Sequence, residues 1–592
     1  MGSCEKQVVQ EISRLPENAT YTFDEDECYS KVLKTAFRHK IISLEYTKFQ
    51  AREKVRHFPK ATSLSIIVPK GANYAYDIIS AVGVGSFIEG RKLSDIKQEL
   101  EKQIPNFTIP YSSLYDQQRK FLFYFGQLHR ASAALIRDYL DSFGNVGWLI
   151  DGTLEPGTDV FFGVKDCLKN IMLDCFKIPT ENEKDIQKCL QSVGSLFGRP
   201  NQIIHDLSRT IQAACDKLDW DVVQLICHFH FSKDVGSDLY ALPNEKLSKQ
   251  LKKLKLKLYL KTQRNDQGKW LRKTVNTRND LMLEKLLNEQ EVPQIDNAIL
   301  GRELFFSLNH WMLDCASDGS RQGFPFDPYL LYFHRRIQKV HTAINKILES
   351  PSSQNVLPRC LGYLSEKLET YMSDPEIITA SSLYETAFEI FTDIRSSLRL
   401  LNADKSKAPI YETYEISPLE QEEILSNIFA LKIKLNEDKQ KNGDKSAKAL
   451  YDIALKHIVK YEPYLINESG LNFDNKKIVR STNKLEQHWG AAKRIKRQIT
   501  GKKKLNRELN ALPKEYMLVQ NLNNPDYVEV VLGNIEKLPQ KLAEVAKNAG
   551  PFTRWVTQQD VTNICKINKN LLRKDNFIEN LVEISQKAFN DS

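Results

Sequence analysis

Residues 146–231 constrain the fold of this chain more than any other segment. Val146-Gly147-Trp148-Leu149-Ile150-Asp151 is a short apolar run that ends in a carboxylate. Residues 160–164 and 170–176 read as two further strands. Tight turns at Glu155-Pro156-Gly157 and Lys165-Asp166 make the three an antiparallel meander. A helix is predicted over about 180–196, closed by Gly198-Arg199-Pro200, and then a buried strand, Gln202-Ile203-Ile204-His205-Asp206. A helix over about 208–218 and a strand at 222–227 complete the segment. The order β-β-β-α-β-α-β specifies a layered α/β unit.

The rest of the chain is built around that unit. At 592 residues it exceeds one ordinary core, and the length suggests roughly three or four domains. Residues 1–70 are poorly patterned, with a basic cluster at Arg52, Lys54, Arg56, His57 and Lys60 that is either a solvated face or a DNA contact. Residues 71–140 read as helices. The third opens near Ser112, with Leu114, Phe121, Leu122 and Phe125 facing inward and Gln117, Gln118, Arg119 and Lys120 outward. Two short helices before a polar-fronted third fit a helix-turn-helix, and fit a plain helical bundle as well. The layered core begins at 141–231, 232–475 is an all-helical insertion, 476–510 returns to the core, and 511–592 is a C-terminal region with helices near 534–548 and 573–588. Residues 439–448 read as a flexible loop.

Composition narrows the setting. The ten cysteines are scattered without a C-x-x-C pair, which disfavours a secreted disulfide framework and fits a reducing cytoplasm. The first residues contain no apolar signal-peptide core, and Lys6 stands where a myristoylation start needs Ser or Thr. No run approaches the roughly 18 apolar residues of a membrane span. The net charge of +9 is compatible with a polyanionic partner. Its placement is more telling: Lys246, Lys249, Lys252, Lys253, Lys255, Lys257 and Lys261 form one dense run, and Lys493, Arg494, Lys496, Arg497, Lys502, Lys503, Lys504 and Arg507 follow Glu486. Both are solvated faces or phosphate-backbone contacts, and the few acids nearby favour DNA.

Three carboxylates carry the chemistry. The element order is that of an RNase H-like domain, in which the strands ending at Asp151 and Asp206 are neighbours. Two close carboxylates repel and call for a cation, and hard divalent ions take such oxygen ligands. Two ions about 4 Å apart can activate an attacking oxygen and stabilise a leaving one on phosphorus. Glu486, at the start of a helix, would complete the triad. Each residue also has a plainer reading: Asp151 as a turn former, Asp206 as a helix cap, Glu486 as a first-turn acid complementing the helix dipole. Cys227-His228-Phe229-His230 offers zinc-type ligands, but no second pair lies nearby in sequence, so a structural or site-buttressing role is preferred.

Ile150-Asp151-Gly152-Thr153, Ile204-His205-Asp206, Cys227-His228-Phe229-His230-Phe231 and Thr482-Asn483-Lys484-Leu485-Glu486 together resemble prokaryotic insertion-sequence DDE transposases of the Mutator-like group. Asn521-Leu522-Asn523-Asn524-Pro525-Asp526-Tyr527 and, loosely, Pro325-Phe326-Asp327-Pro328-Tyr329 extend the resemblance. It implies an RNase H-like core with a large all-α insertion and an α-helical N-terminal DNA-binding region. It further implies catalysis and metal binding by Asp151, Asp206 and Glu486 with Mg²⁺ or Mn²⁺, two ions in all, and site support from Cys227, His230 and Asn483. The implied partners are double-stranded DNA, as terminal inverted repeats and target, contacted through Gln117, Gln118, Arg119, Lys252, Lys253, Lys493, Arg494, Arg497, Lys502, Lys503 and Lys504. The implied state is a homodimer or higher oligomer on DNA, nucleoid-associated in a prokaryotic cytoplasm and not at a membrane. The N-terminus lacks the cysteine-rich zinc ribbon common in that group, and Lys484 replaces a frequent Asn. A catalytically inactive, transposase-derived DNA-binding protein is the alternative.

Overall fold

The computed structural model describes residues 29–37, 40–48, 68–69 and 72–549, apart from 105–106, 145, 275–280, 291–295, 350–358, 402–417 and 467–478, together with 552, 580 and 582. The basic cluster at 52–60 lies outside these, as does the helix expected at 573–588 apart from 580 and 582. The chain is mostly helical around a small mixed sheet and divides into two compact units, 1–224 with 482–592, and 225–481.

The first unit opens with an antiparallel pair, β1 (Tyr29–Phe37) and β2 (Lys40–Lys48), in a region the sequence leaves unpatterned. The helices Tyr76–Phe87, Leu93–Gln103 and Tyr111–Ala131 follow. Ile78, Val82, Ile96, Leu100 and Leu114 close one core between them. Gly83 lets the first helix meet the third, because a Cβ there would stand 2.0 Å from the Phe121 ring.

The five-stranded sheet comprises β3 (Gly147–Thr153), β4 (Val160–Asp166), β5 (Met172–Ile178), β6 (Gln202–His205) and β7 (Val223–Ile226), in the order β5-β4-β3-β6-β7. β3, β4 and β5 are antiparallel neighbours, and β3 pairs with β6 in parallel. The helices Glu183–Phe197 and Arg209–Asp216 fall where the sequence predicts them. Asn182 caps the first through the Asp185 N–H, and Ser208 caps the second through the Ile211 N–H. One expectation is corrected here. Lys165 and Asp166 are not a turn but the last residues of β4, both buried. Their polarity reads as a turn signal, yet the chain turns only after Cys167.

The regular elements of the second unit after β7 are helical among its described residues. Its longest helix, His228–Lys253, begins directly after β7 and packs on Pro375–Ser397. Gly236 permits the contact, since a Cβ there would lie 2.9 Å from Phe391 and from Pro325. Asp327 is buried and accepts hydrogen bonds from the backbone N–H groups of Ser320 and Gly323, so Pro325-Phe326-Asp327 is an internally tied loop. The loop expected at 439–448 is corrected too. Pro418–Lys441 and Lys445–Leu465 are long helices with three residues between them, and Asp444 caps the second through the Ser446 N–H. Lys439 and Lys441 lie in the last turn of the first helix, where positive charge complements the dipole.

The chain then returns to the first unit through the helix Asn483–Thr500, which ends at Gly501 in the left-handed conformation, φ 67°. Short helices Asn506–Asn510, Glu515–Leu518, Pro525–Leu532 and Leu538–Ala546 follow. Buried Asn521 clamps the start of β5 through both amide atoms. Its Oδ1 accepts from the Met172 N–H at 2.8 Å, and its Nδ2 donates to the Met172 carbonyl at 2.8 Å. The returning chain thus satisfies backbone groups of an outer strand of the sheet that would otherwise be buried unpaired.

Candidate active site

The sheet register places the first two carboxylates at the same end of adjacent strands. Gly147 lies opposite Gln202, Trp148 opposite Ile203 and Leu149 opposite Ile204, each pair 55 positions apart in sequence. The same 55 positions separate Asp151 from Asp206. The ladder stops at Leu149 and Ile204, so Asp151 and Asp206 follow it by two residues at the same end of adjacent strands. Asp151 is within β3, opposite Gly163 of β4, and Asp206 is the first residue past the end of β6. Asp206 Oδ1 accepts the Ser208 N–H at 2.9 Å. The helix cap is thus Ser208, with Asp206 shaping the turn before it.

The helix Asn483–Thr500 supplies the third. Glu486, Trp489 and Lys493 lie at i, i+3 and i+7 and so share one stripe. The Trp489 indole rests on Gly163, the cross-strand partner of Asp151; a Cβ on Gly163 would stand 2.5 Å from that ring. Lys493 donates to Thr153 Oγ1 at 2.9 Å and to the Leu154 carbonyl at 3.0 Å. At the other end, Lys165 Nζ donates to the Lys484 carbonyl at 3.1 Å. The helix therefore runs along β3, and Glu486, half-buried, falls on its sheetward stripe between the levels of Leu149 and Asp151.

A fourth carboxylate went unnoticed in the sequence. Glu181 presses on Gly152, beside Asp151, where it would collide with any Cβ. Burial and the charge of Asp206 raise its pKa. Nothing in its local sequence marks it, because it lies in the connection after β5. Oxygen donors of this kind suit Mg²⁺ or Mn²⁺. Among the described residues, however, no three His, Cys, Asp or Glu side chains form a group that could hold a metal ion. The carboxylates are neighbours here without making a ready ligand set.

Asn483 is the first residue of the Glu486 helix. Cys227 and its neighbours belong to the second unit and do structural work there. Cys227 joins the end of β7 to the start of the helix His228–Lys253. Its thiol is buried and reaches Ser481 Oγ at 3.8 Å. His228 bonds the Leu465 carbonyl at 2.7 Å, and burial lowers its pKa to about 3, so it is neutral. His230, half-buried, stands beside Phe229, which stacks on Phe326 at 4.9 Å.

The basic surface is smaller than the sequence suggests. Glu155, at the turn after β3, pairs with Arg497 at 2.9 Å and Lys493 at 3.7 Å. Burial lowers the pKa of Lys493, and the same cause lowers that of Lys496. Lys502 pairs with Glu508. Arg494, Lys503, Lys504 and Arg507 are exposed and make no ion pair among the described residues. Asn510 donates to the Gly157 carbonyl, which holds this segment on the β3–β4 turn. In the second unit, Lys252 and Lys253 end their helix exposed, whereas Lys257 packs over the Phe333 ring at 4.6 Å.

The helix Tyr111–Ala131 corrects a further expectation. Gln117 is 2% exposed and donates to the Ser113 carbonyl at 3.0 Å. Arg119 is mostly covered and reaches Asp116 at 3.5 Å, and Gln118 is half-buried. Leu114, Gln117, Phe121, Tyr124 and Leu128 form one helical stripe, so periodicity itself places Gln117 inside. The exposed residues at this end are Tyr111, Ser112 and Tyr115.

No protein-family model matches the chain. No curated protein matches it either. Among solved structures, the Drosophila P element transposase strand transfer complex is 11% identical with a TM-score of 0.31, covering 81% of this chain and 92% of that one. A likeness at that level carries no functional argument, and the resemblance to the Mutator-like group rests on its motifs alone. No described helix is long and apolar enough to cross a membrane.

Proposed function

We propose that this chain is a DNA-processing protein of the transposase type, with an RNase H-like core that cleaves phosphodiester bonds and joins DNA ends through Asp151, Asp206 and Glu486. The observation that carries the reading is the register of β3 on β6, which puts Asp151 and Asp206 at the same end of neighbouring strands. Carboxylates at one end of adjacent strands, with exposed cations on the chain that follows Glu486, suit a reaction at a phosphodiester, where a polyanion must be held while charge develops on phosphorus. Dependence on Mg²⁺ or Mn²⁺ and assembly on DNA as a dimer or larger belong to the same proposal.

A second reading, a DNA-binding protein without catalysis, rests on the exposed cations Arg494, Lys503, Lys504 and Arg507 alone, which can hold a phosphate backbone without any reaction. The full chain incubated with duplex DNA separates the two. Divalent-dependent strand cleavage supports the first reading, and binding without cleavage the second. Replacing both Lys503 and Lys504 by Ala is expected to flatten the dependence of log affinity on log salt by about 0.9 for each phosphate no longer neutralised, leaving sequence preference unchanged. Replacing Lys502 alone is expected to change it less, because Glu508 already neutralises it. An unchanged slope in the double variant would show that this cluster is only a solvated face.

A further inference from the structure

Lys165 is a charged residue in a place that ordinarily excludes one. It stands on β4 opposite Leu149, is 6% exposed, and lies beneath the first turn of the helix Asn483–Thr500. Burial lowers its pKa to about 8. Two features make a cation unfavourable there. An ammonium loses its hydration on burial, and the positive end of a helix dipole repels it. A methionine would fill the same volume without either cost. What an apolar side chain cannot supply is a directional bond, and Lys165 makes one to the Lys484 carbonyl at 3.1 Å.

The register of helix on strand shows what that bond fixes. Lys165 and Gly163 are two apart on β4 and face the same way, about 6.6 Å apart. Lys484 and Trp489, which meet them, are five apart on the helix, about 7.5 Å along its axis. The two spacings are close enough for both contacts to form at once, an indole on a glycine in the second turn and the Lys165 bond in the first. Glu486 lies between the two ties. The charged and titratable groups facing Lys165 are Asp166 from its own strand and Lys484 and His488 from the helix. His488 is neutral, its pKa lowered to about 3, and Nε2 bonds the Met517 carbonyl at 2.7 Å.

We propose that Lys165 is a positioning residue for Glu486: its ammonium pins the Lys484 carbonyl and so sets the turn that carries the glutamate against the strand of Asp151. The proposal rests on the functional reading above only for the role of Glu486; the pinning is a statement about structure. Amide hydrogen exchange on the full chain tests it without any activity. Lys165→Met is expected to raise exchange over 483–489 about tenfold, with the amides of β3 and β6 unchanged. Lys165→Arg, which keeps charge and donor, is expected to restore protection. In a cleavage assay at saturating DNA, the Met variant should lose at least tenfold in rate while DNA affinity stays within about twofold. Wild-type protection of 483–489 in Lys165→Met would overturn the proposal. So would a Met variant that fails to fold beside an Arg variant that folds, because the residue would then support the whole sheet and not one turn. Absence of cleavage in the wild type counts against the functional reading alone, and the exchange result still decides this one.

Discussion

Asp151→Asn is expected to lower DNA strand cleavage and joining by a factor on the order of 10³ or more while leaving DNA affinity within about twofold. The substitution is nearly isosteric. It keeps the backbone pairing of Asp151 with Gly163, removes the negative charge and replaces one carboxylate oxygen by an NH2 group. Affinity is expected to persist because the exposed cations, Arg494, Lys503, Lys504 and Arg507, lie elsewhere on the surface and act on the phosphate backbone. The measurement is strand transfer on duplex DNA beside a binding titration at one salt concentration. Cleavage retained within tenfold by Asp151→Asn would remove Asp151 from the active site and leave the register with Asp206 without a catalytic meaning. The two results together matter, since loss of both activities would report unfolding or lost binding.

Gly163→Ala is expected to destabilise the first unit by about 1–3 kcal/mol, as overpacking of a close-packed site does. The added Cβ would stand 2.5 Å from two carbons of the Trp489 ring. The indole has nowhere to go. It is 3% exposed, its helix buries Leu485, His488 and Ala492, and Lys165 and Lys493 tie that helix at both ends. Denaturant melts of the full chain should show a lower midpoint for the transition that reports Trp489. Adding Trp489→Leu to Gly163→Ala should cost less than the two single changes summed, because the smaller side chain removes the collision. Additive costs would mean that Gly163 and Trp489 do not meet. Any shift of the indole also moves Glu486, one turn earlier on the same stripe, so cleavage is expected to fall further than stability alone explains.

Asn521→Ala tests the other end of the same sheet. It would leave the Met172 N–H and carbonyl unpaired where water cannot reach them, at a cost of about 1–3 kcal/mol for each group. A melt unchanged from wild type would show that another group takes over the clamp.

The local sequence determined much of this protein. Apolar runs of strand length, turns at Glu155-Pro156-Gly157 and capping residues such as Ser208 fixed the order of elements from β3 to β7, because strand and helix periods and caps are properties of neighbouring residues. That order makes Asp151 and Asp206 candidates for neighbouring strands before any coordinates exist. Gln117 was legible as well, since it shares the stripe of Leu114 and Phe121; its amide polarity suggested otherwise. Only the tertiary structure decided the rest. Lys165 and Asp166 carry turn-like polarity, yet long-range pairing with β3 draws them into a buried strand. Glu155 and Glu508 neutralise Lys493, Arg497 and Lys502, which shrinks the basic surface by contacts between side chains far apart or around a turn. Glu181 joins the carboxylates because Gly152 leaves space for it. The physical reason is common to all three. Periodicity tells which residues share a face, but what covers that face, and which charge meets which, depends on contacts outside the local pattern, from 6 residues away for Lys502 and Glu508 to 342 for Arg497 and Glu155.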